Sequence, residues 1–215
     1  VKPYRRLSDA QIAEVDATSR RVLEEQGLLC YNEHASELMK REGARVEARD
    51  DHWHIRIPSS LVDRALESAP SKIVLGARNP ENRLVLDASE PRVRFGSGSE
   101  TNIWLDVQFE NGAPKLSRQD GSIEKLRTAA HLCDNLENLD FFIRCVNIQD
   151  SEVTPGNKDV NKFLASLNNI TKHVQAGLTS IDQLDNVVRL GELVAGGHDA
   201  FVENPVLSFI CCAVK

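Results

Sequence analysis

Aromatic residues are scarce in this chain. They make up 5% of its 215 residues, and Met occurs once. Lys and Arg are scattered and form no stripe interleaved with aromatics. Asp and Glu outnumber them by 32 to 26, for a net charge of −6. Both features argue against a nucleic-acid partner. No apolar run reaches ten residues, so the sequence holds no membrane-spanning helix. No signal peptide is recognisable, and residue 1 is Val rather than Met. The expectation is a processed start or part of a longer product. Five cysteines (Cys30, Cys133, Cys145, Cys211, Cys212) form an odd set with no CxxC, and adjacent Cys211 and Cys212 would face opposite sides of a strand. Reduced thiols in a cytoplasmic protein are the simplest reading. What is present is 41% hydrophobic and 27% charged residues, which excludes a disordered chain and a disulfide-stapled miniprotein. The length suits one large domain or two small ones.

The first part reads as short helices and hairpins. Ser8-Asp9-Ala10-Gln11 fits a capping box, Ile12, Val15, Val22 and Leu23 come next on one helical face, and Gly27 suits the exit. A second helix is expected over 33–42, closed by Gly43, and a third over 60–68, with Leu61, Ala65 and Leu66 inward and Pro70 ending it. Between them Val46, Ala48, Trp53, Ile55 and Ile57 alternate around Asp50-Asp51, a hairpin signal. Residues 73–77 and 84–87 flank Asn79-Pro80-Glu81-Asn82 as another hairpin. A short strand at 92–95 runs into Gly96-Ser97-Gly98-Ser99-Glu100. A hairpin around Asn111-Gly112 then decorates the next loop.

The pattern changes at Ser122, which caps a helix with Ile123, Leu126, Ala130, Cys133 and Leu136 on one face. An apolar strand is expected over 142–148 and a helix through Val160, Phe163, Leu164 and Leu167. A strand over 173–178 comes next, then a second capping box at Ser180-Ile181-Asp182-Gln183. It opens a helix with Ile181, Leu184, Val188 and Val194 inward. The last strand runs over 206–214. Strands alternating with helices at this spacing indicate βα units and a parallel sheet. Four such repeats at most are present, whereas a complete (β/α)8 barrel takes about 250 residues. The expected fold is therefore α/β: the N-terminal part of a TIM-type barrel (91–215), preceded by a helical and β-hairpin region (1–90). A complete open sheet ending on a buried strand is the alternative.

Ser60 to Leu66 with Ala69-Pro70-Ser71, Val74-Leu75-Gly76-Ala77-Arg78, Phe95-Gly96-Ser97-Gly98, Leu126 to Asp134 with Glu137-Asn138-Leu139-Asp140-Phe141, Asn168 to His173 and Pro205-Val206-Leu207-Ser208 succeed one another along nearly the whole chain. This ordered set resembles the trimethylamine:corrinoid methyltransferase-like family. The resemblance implies a TIM barrel that continues past Lys215. Founding members carry pyrrolysine in the second half of the barrel. Asn147-Ile148-Gln149-Asp150 and Lys172 to Gly177 look more like the branch without it, which demethylates quaternary amines such as glycine betaine. The implied partners are a small quaternary or tertiary amine and a corrinoid protein whose cobalamin accepts the methyl. No tightly bound cofactor is implied, homo-oligomerisation is left open, and half a barrel on its own is expected to be inactive.

A quaternary amine already carries full charge, so such an enzyme acts mainly by positioning. Its cation suits aromatic faces and its carboxylate needs donors. Barrel sites lie at the C-terminal ends of the strands. Those ends offer Phe95, Ser97, Ser99 and Glu100, then Asn147, Gln149 and Asp150, then His173 and Gln175, and last Cys211 and Cys212. The substrate-binding set taken from these is Phe95, Ser97, Glu100, Asn147, Gln149, His173 and Gln175. Phe95 is the cation-facing candidate, though an aromatic filling the barrel interior fits it equally. Trp104 fits a hairpin packed against the barrel. Gly96 to Ser99 has neither dinucleotide nor P-loop spacing. No His/Cys pair has zinc-ligand spacing. His52 and His54 share a hairpin strand, and Asp120 and Asp134 read as a turn residue and a solvated helix residue. No catalytic residue and no metal site is assigned. The rivals are a trimethylamine-type methyltransferase, a barrel lyase or hydrolase using a metal held elsewhere, and a non-catalytic quaternary-ammonium-binding protein.

Overall fold

Ser8 starts the first helix as its sequence requires. Its hydroxyl accepts the Gln11 amide, and the Gln11 side chain accepts the Ser8 amide at 2.9 Å. The computed structural model describes residues 5–90 and 92–211. The chain divides into two compact units, Val1–Ser71 and Lys72–Lys215.

In the first unit, helix α1 (Asp9–Arg21) passes into a π turn (Val22–Gln26) that ends at Gly27, whose φ of 70° is easy for glycine. Strand β1 (Leu28–Cys30) and helix α2 (Glu33–Arg41) come next. Asn32 caps α2 by accepting the Ala35 amide at 2.9 Å. Strands β2 (Arg45–Ala48) and β3 (Trp53–Arg56) form the expected hairpin, and helix α3 (Ser59–Ser68) closes the unit. The antiparallel sheet has the order β1-β3-β2. Its β1 strand was not expected, because three residues carry no periodicity. Ala65 and Leu66 were expected inward and are exposed, as are Ile12, Val15 and Val22 of the apolar face of α1 and its extension. A unit this small buries little: Ala44 and Ile55 are its buried hydrophobic residues.

In the second unit, β4 (Lys72–Leu75) and β5 (Leu84–Asp87) form a hairpin around a 3-10 turn at Pro80–Asn82. Strands β6 (Ile103–Glu110) and β7 (Ala113–Asp120) form the longest hairpin. Its two-residue loop, Asn111 and Gly112, has φ of 52° and 82°, which matches the right-handed twist of the strands. Helix α4 (Ile123–Asp134) is capped by Ser122 and Asp150, which accept the Lys125 and Ile123 amides. Then come β8 (Phe141–Ile143), α5 (Pro155–Leu167), β9 (His173–Gly177), α6 (Leu184–Ala195), α7 (His198–Glu203) and β10 (Leu207–Ile210). Strands β8, β9 and β10 are parallel neighbours in chain order, joined through helices. Leu126, Phe142, Phe163 and Val174 centre the core between this sheet and α4 and α5.

Several expectations need correction. Residues 92–95 form no strand. Only isolated parallel bridges, Gly96 to Phe141 and Thr101 to Val146, place this segment beside β8. The strand expected over 142–148 ends at Ile143, where the pairing changes partner. Arg144 N–H still donates to Gln175 on β9, while Val146 bridges Thr101 on the other side. The Ser180 capping box does not form. Asp159 accepts the Thr179 and Ser180 amides instead, Ile181–Gln183 is a 3-10 turn, and Ile181 is exposed. Helix α7 was not expected. The last strand is shorter than expected, and residues 212–214 of that expectation lie outside the described residues. The chain is thus mixed α/β with four small sheets, and its described strands close no barrel. Among the described residues no helix is long and apolar enough to cross a membrane.

The β4–β5 hairpin fixes which end of the parallel sheet stays open. Gly76 donates to Pro205 O at 2.9 Å, and Asn79 donates to Thr171 O at 3.1 Å. The Arg78 guanidinium donates to the Leu167 and Ile170 carbonyls. Asn204 exchanges two hydrogen bonds with the Ala77 main chain. A Cβ on Gly76 would collide with the main chain at Asn204 and Pro205, so the close approach needs glycine. These contacts fall on residues preceding β9 and β10. The N-terminal ends of β9 and β10 are thus covered, and their C-terminal ends are not covered by this hairpin.

Candidate functional site

A cavity of about 630 Å³ lies where β8, β9 and β10 finish. Its lining includes the last residue of each strand, Ile143, Gly177 and Ile210. Arg144 and Asn147 come after β8, and Leu178 and Thr179 after β9. Lys158 and Lys162 come from the inward side of α5, and Ser99 and Glu100 from the segment bridged to β8.

Two ion pairs shape its electrostatics. Lys162 Nζ lies 2.5 Å from Asp159 Oδ1, one turn apart on α5, and both side chains are almost entirely shielded from solvent. Asp159 also accepts the Thr179 amide at 2.9 Å and the Ser180 amide at 3.0 Å. Burial is the largest influence on Asp159 and would raise its pKa. The hydrogen bonds from Lys162, Ser180 and Thr179 outweigh burial and hold it below the ordinary carboxylate value. Burial also dominates at Lys162 and pushes its pKa down, against the pull of Asp159. The Arg144 guanidinium, on a side chain 7% exposed, donates to Glu100 and, at 3.2 Å, to Val146 O. That hydrogen bond holds the Glu100 carboxyl below its usual range, with burial opposing. Among the described residues, Arg144 Nε and Asn147 Oδ1 are buried without a hydrogen-bond partner. Groups left this way cost free energy unless something else satisfies them.

Of the residues selected from the sequence, Glu100 and Asn147 line this cavity. The others are used elsewhere. Ser97 Oγ donates to Ile143 O at 2.7 Å and accepts Ile143 N–H at 2.8 Å, pinning its segment to β8. Gln149 Nε2 donates to Asn102 O, and the main-chain carbonyl of Gln175 accepts Arg144 N–H. Phe95 is 60% exposed, and its main chain exchanges hydrogen bonds with Asp140. His173 is a correction in position. It opens β9 rather than closing it, so it sits at the covered end, donating from Nδ1 to Gly76 O at 2.9 Å and meeting Ser208 Oγ at 2.8 Å through Nε2. Cys211 is exposed beyond the end of β10, and Cys212 lies outside the described residues.

Trp104 packs on the core and lies under the Lys125 ammonium, 5.4 Å from its ring centre. Asp134 is not merely solvated, since it accepts both the amide and the hydroxyl of Thr171 at 2.8 Å. His52 and His54 are held by Asp51 and by Gln26 O. Among the described residues no three His, Cys, Asp or Glu side chains are grouped to hold a metal ion.

Arg144, Lys158, Asp159 and Lys162 were missed from the sequence. One signal was available for Arg144, a lone charge inside an apolar run. Asp159 and Lys162 alternate with the apolar positions 160 and 163, which places them near the buried face of the helix.

The family model described as trimethylamine methyltransferase (MTTB) matches residues 1–214. A trimethylamine methyltransferase of Desulfitobacterium hafniense is 30% identical over 207 residues, covering 96% of this chain and 39% of that protein. A glycine betaine methyltransferase of the same species is 24% identical over 210 residues, covering 95% and 40%. A trimethylamine methyltransferase of Methanosarcina barkeri is 27% identical over 214 residues, covering 94% and 39%. The chain thus spans about two fifths of the length of these relatives.

Proposed function

The chain belongs to the trimethylamine methyltransferase family, and from that premise we propose that it serves corrinoid-dependent methyl transfer from a quaternary amine such as glycine betaine. The acceptor is Co(I) of a cobalamin carried by a corrinoid protein. The corrinoid enters as co-substrate, and no tightly held cofactor of the chain's own is invoked. We take residues 91–215 as the first half of a (β/α)8 barrel in a cytoplasmic protein. The parallel, in-order run of β8, β9 and β10 supports that reading, as does the 72–87 hairpin over its N-terminal end.

The transfer is an in-line displacement. The cobalt electron pair forms the new bond to carbon, and the carbon–nitrogen pair stays on nitrogen, which leaves as a neutral tertiary amine. No proton moves. The protein's task is to orient one methyl toward the open end and exclude water. The observation that carries the proposal is the cavity at the strand ends, where the Glu100 carboxylate can face a cation and Arg144, Lys158 and Lys162 an anion. From the sequence-selected set, Glu100 and Asn147 are the residues we place against substrate.

The test is proton NMR of protein incubated anaerobically with reduced cobalamin and glycine betaine. Dimethylglycine equal to the methylated corrinoid is expected; betaine left intact would count against the proposal. A second reading, transfer from trimethylamine, is favoured by the 30% identity to a trimethylamine methyltransferase, and would show as dimethylamine when trimethylamine replaces betaine in the incubation.

A further inference from the structure

A pocket serving a cation alone would be lined by carboxylates or aromatic faces. This one presents three cations, Arg144, Lys158 and Lys162, and one carboxylate, Glu100. Glu100 pairs with Arg144, and Asp159, behind the wall, pairs with Lys162. Lys158 is half-buried and has no ion pair among the described residues. One positive charge is therefore left over at the cavity. Arg144 is more than nine-tenths buried yet keeps an unpartnered Nε–H. Its two terminal nitrogens already serve Val146 O and Glu100, so Nε–H is the donor left for a carboxylate, and Lys158 adds a second charge from the next element.

We propose that Arg144, Lys158 and Lys162 form a subsite for the carboxylate of a zwitterionic quaternary-ammonium substrate, with Glu100 beside it for the cationic end. The proposal rests on the functional reading above for the identity of the cation and goes beyond it by naming the group that selects the substrate. Lys162 acts from the rear. Asp159 fixes its ammonium, so it contributes field rather than a free hand. Trimethylamine has no carboxylate and gains nothing from the three cations. A betaine satisfies the leftover charge and brings its own positive end to Glu100. The subsite thus selects by charge pattern rather than by size.

Isothermal titration calorimetry of the protein at low ionic strength tests this with glycine betaine, tetramethylammonium, acetate and inorganic phosphate. Betaine is expected to bind about tenfold or more tighter than tetramethylammonium, the scale of one charge-assisted contact. Lys158→Ala changes a half-buried residue with no ion pair and should fold normally; it is expected to weaken betaine about fivefold and to leave tetramethylammonium as tight or tighter. Arg144→Lys keeps the charge but loses the unpartnered Nε–H and is expected to weaken betaine further. Tetramethylammonium binding as tightly as betaine would overturn the subsite. So would unchanged betaine affinity in both variants, phosphate binding as well as betaine, or no binding of any of the four. Methyl transfer read alongside separates the two claims. Carboxylate-dependent binding without transfer sinks the proposed reaction and keeps the subsite. Transfer with an unchanged KM for betaine in both variants does the reverse.

Discussion

His173 is a buried histidine with both ring nitrogens engaged. Gly76 O can only accept, so Nδ1 holds the proton, and in the neutral ring Nε2 accepts the Ser208 hydroxyl. Burial, opposed by hydrogen bonding to Gly76 and Pro205, pushes its pKa below the ordinary 6.5. Folding therefore favours the neutral ring. The stability it contributes is complete above about 6.5 and is lost as pH falls through the folded value. The melting temperature should drop between pH 7 and pH 5. His173→Asn should melt lower at pH 7 and show a flatter pH dependence, as scanning calorimetry at several pH values would reveal. Asp159 makes the opposite kind of statement. Asp159→Asn leaves Lys162 buried without its counter-charge, and breaking such a pair costs about 3–5 kcal/mol. Urea unfolding of the variant should show a loss of that order; a loss below about 1 kcal/mol would mean that water already reaches the pair.

At the scale of elements, local chemistry was readable and tertiary chemistry was not. The β6–β7 hairpin was legible because Asn111-Gly112 admits positive φ at both positions, and α1, α2 and α4 because their caps are written in adjacent residues. Gly112→Ala should cost the protein about 1 kcal/mol in denaturant melts, and by backbone strain alone, since an added Cβ meets nothing within 4 Å. The second capping box failed for the complementary reason. Ser180 had a competitor, Asp159, twenty-one residues away, which no local pattern reveals. Strand β1 has its partner in β3, and the 96–101 segment has its partner beyond the hairpin, so neither shows in periodicity. The site divides along the same line. Glu100 was legible from its place in the loop after an expected strand, and Asn147 from its place at the C-terminal end of the strand expected over 142–148. Arg144 and Lys162 were passed over because a charge in a helix or at a strand end usually meets water, and only the folded chain shows these two buried against a cavity.

At the largest scale, the parallel sheet of the second unit has one covered end and one open end. The hairpin at 72–87 covers the starts of β9 and β10, and the charged cavity sits where the strands stop. Relatives of this chain include a trimethylamine methyltransferase and a glycine betaine methyltransferase, so the proposed function has a simple amine and a zwitterion as its two candidate substrates. The cation surplus in the cavity predicts which it prefers. The most direct measurement is a competition. Equimolar glycine betaine and trimethylamine, with carbon-13 in the methyl groups of betaine only, are offered together to the protein and cob(I)alamin under anaerobic conditions. The account predicts that the methyl on cobalt carries the label, because only betaine satisfies both charges of the site. Unlabelled methylcobalamin would contradict it and make trimethylamine the substrate.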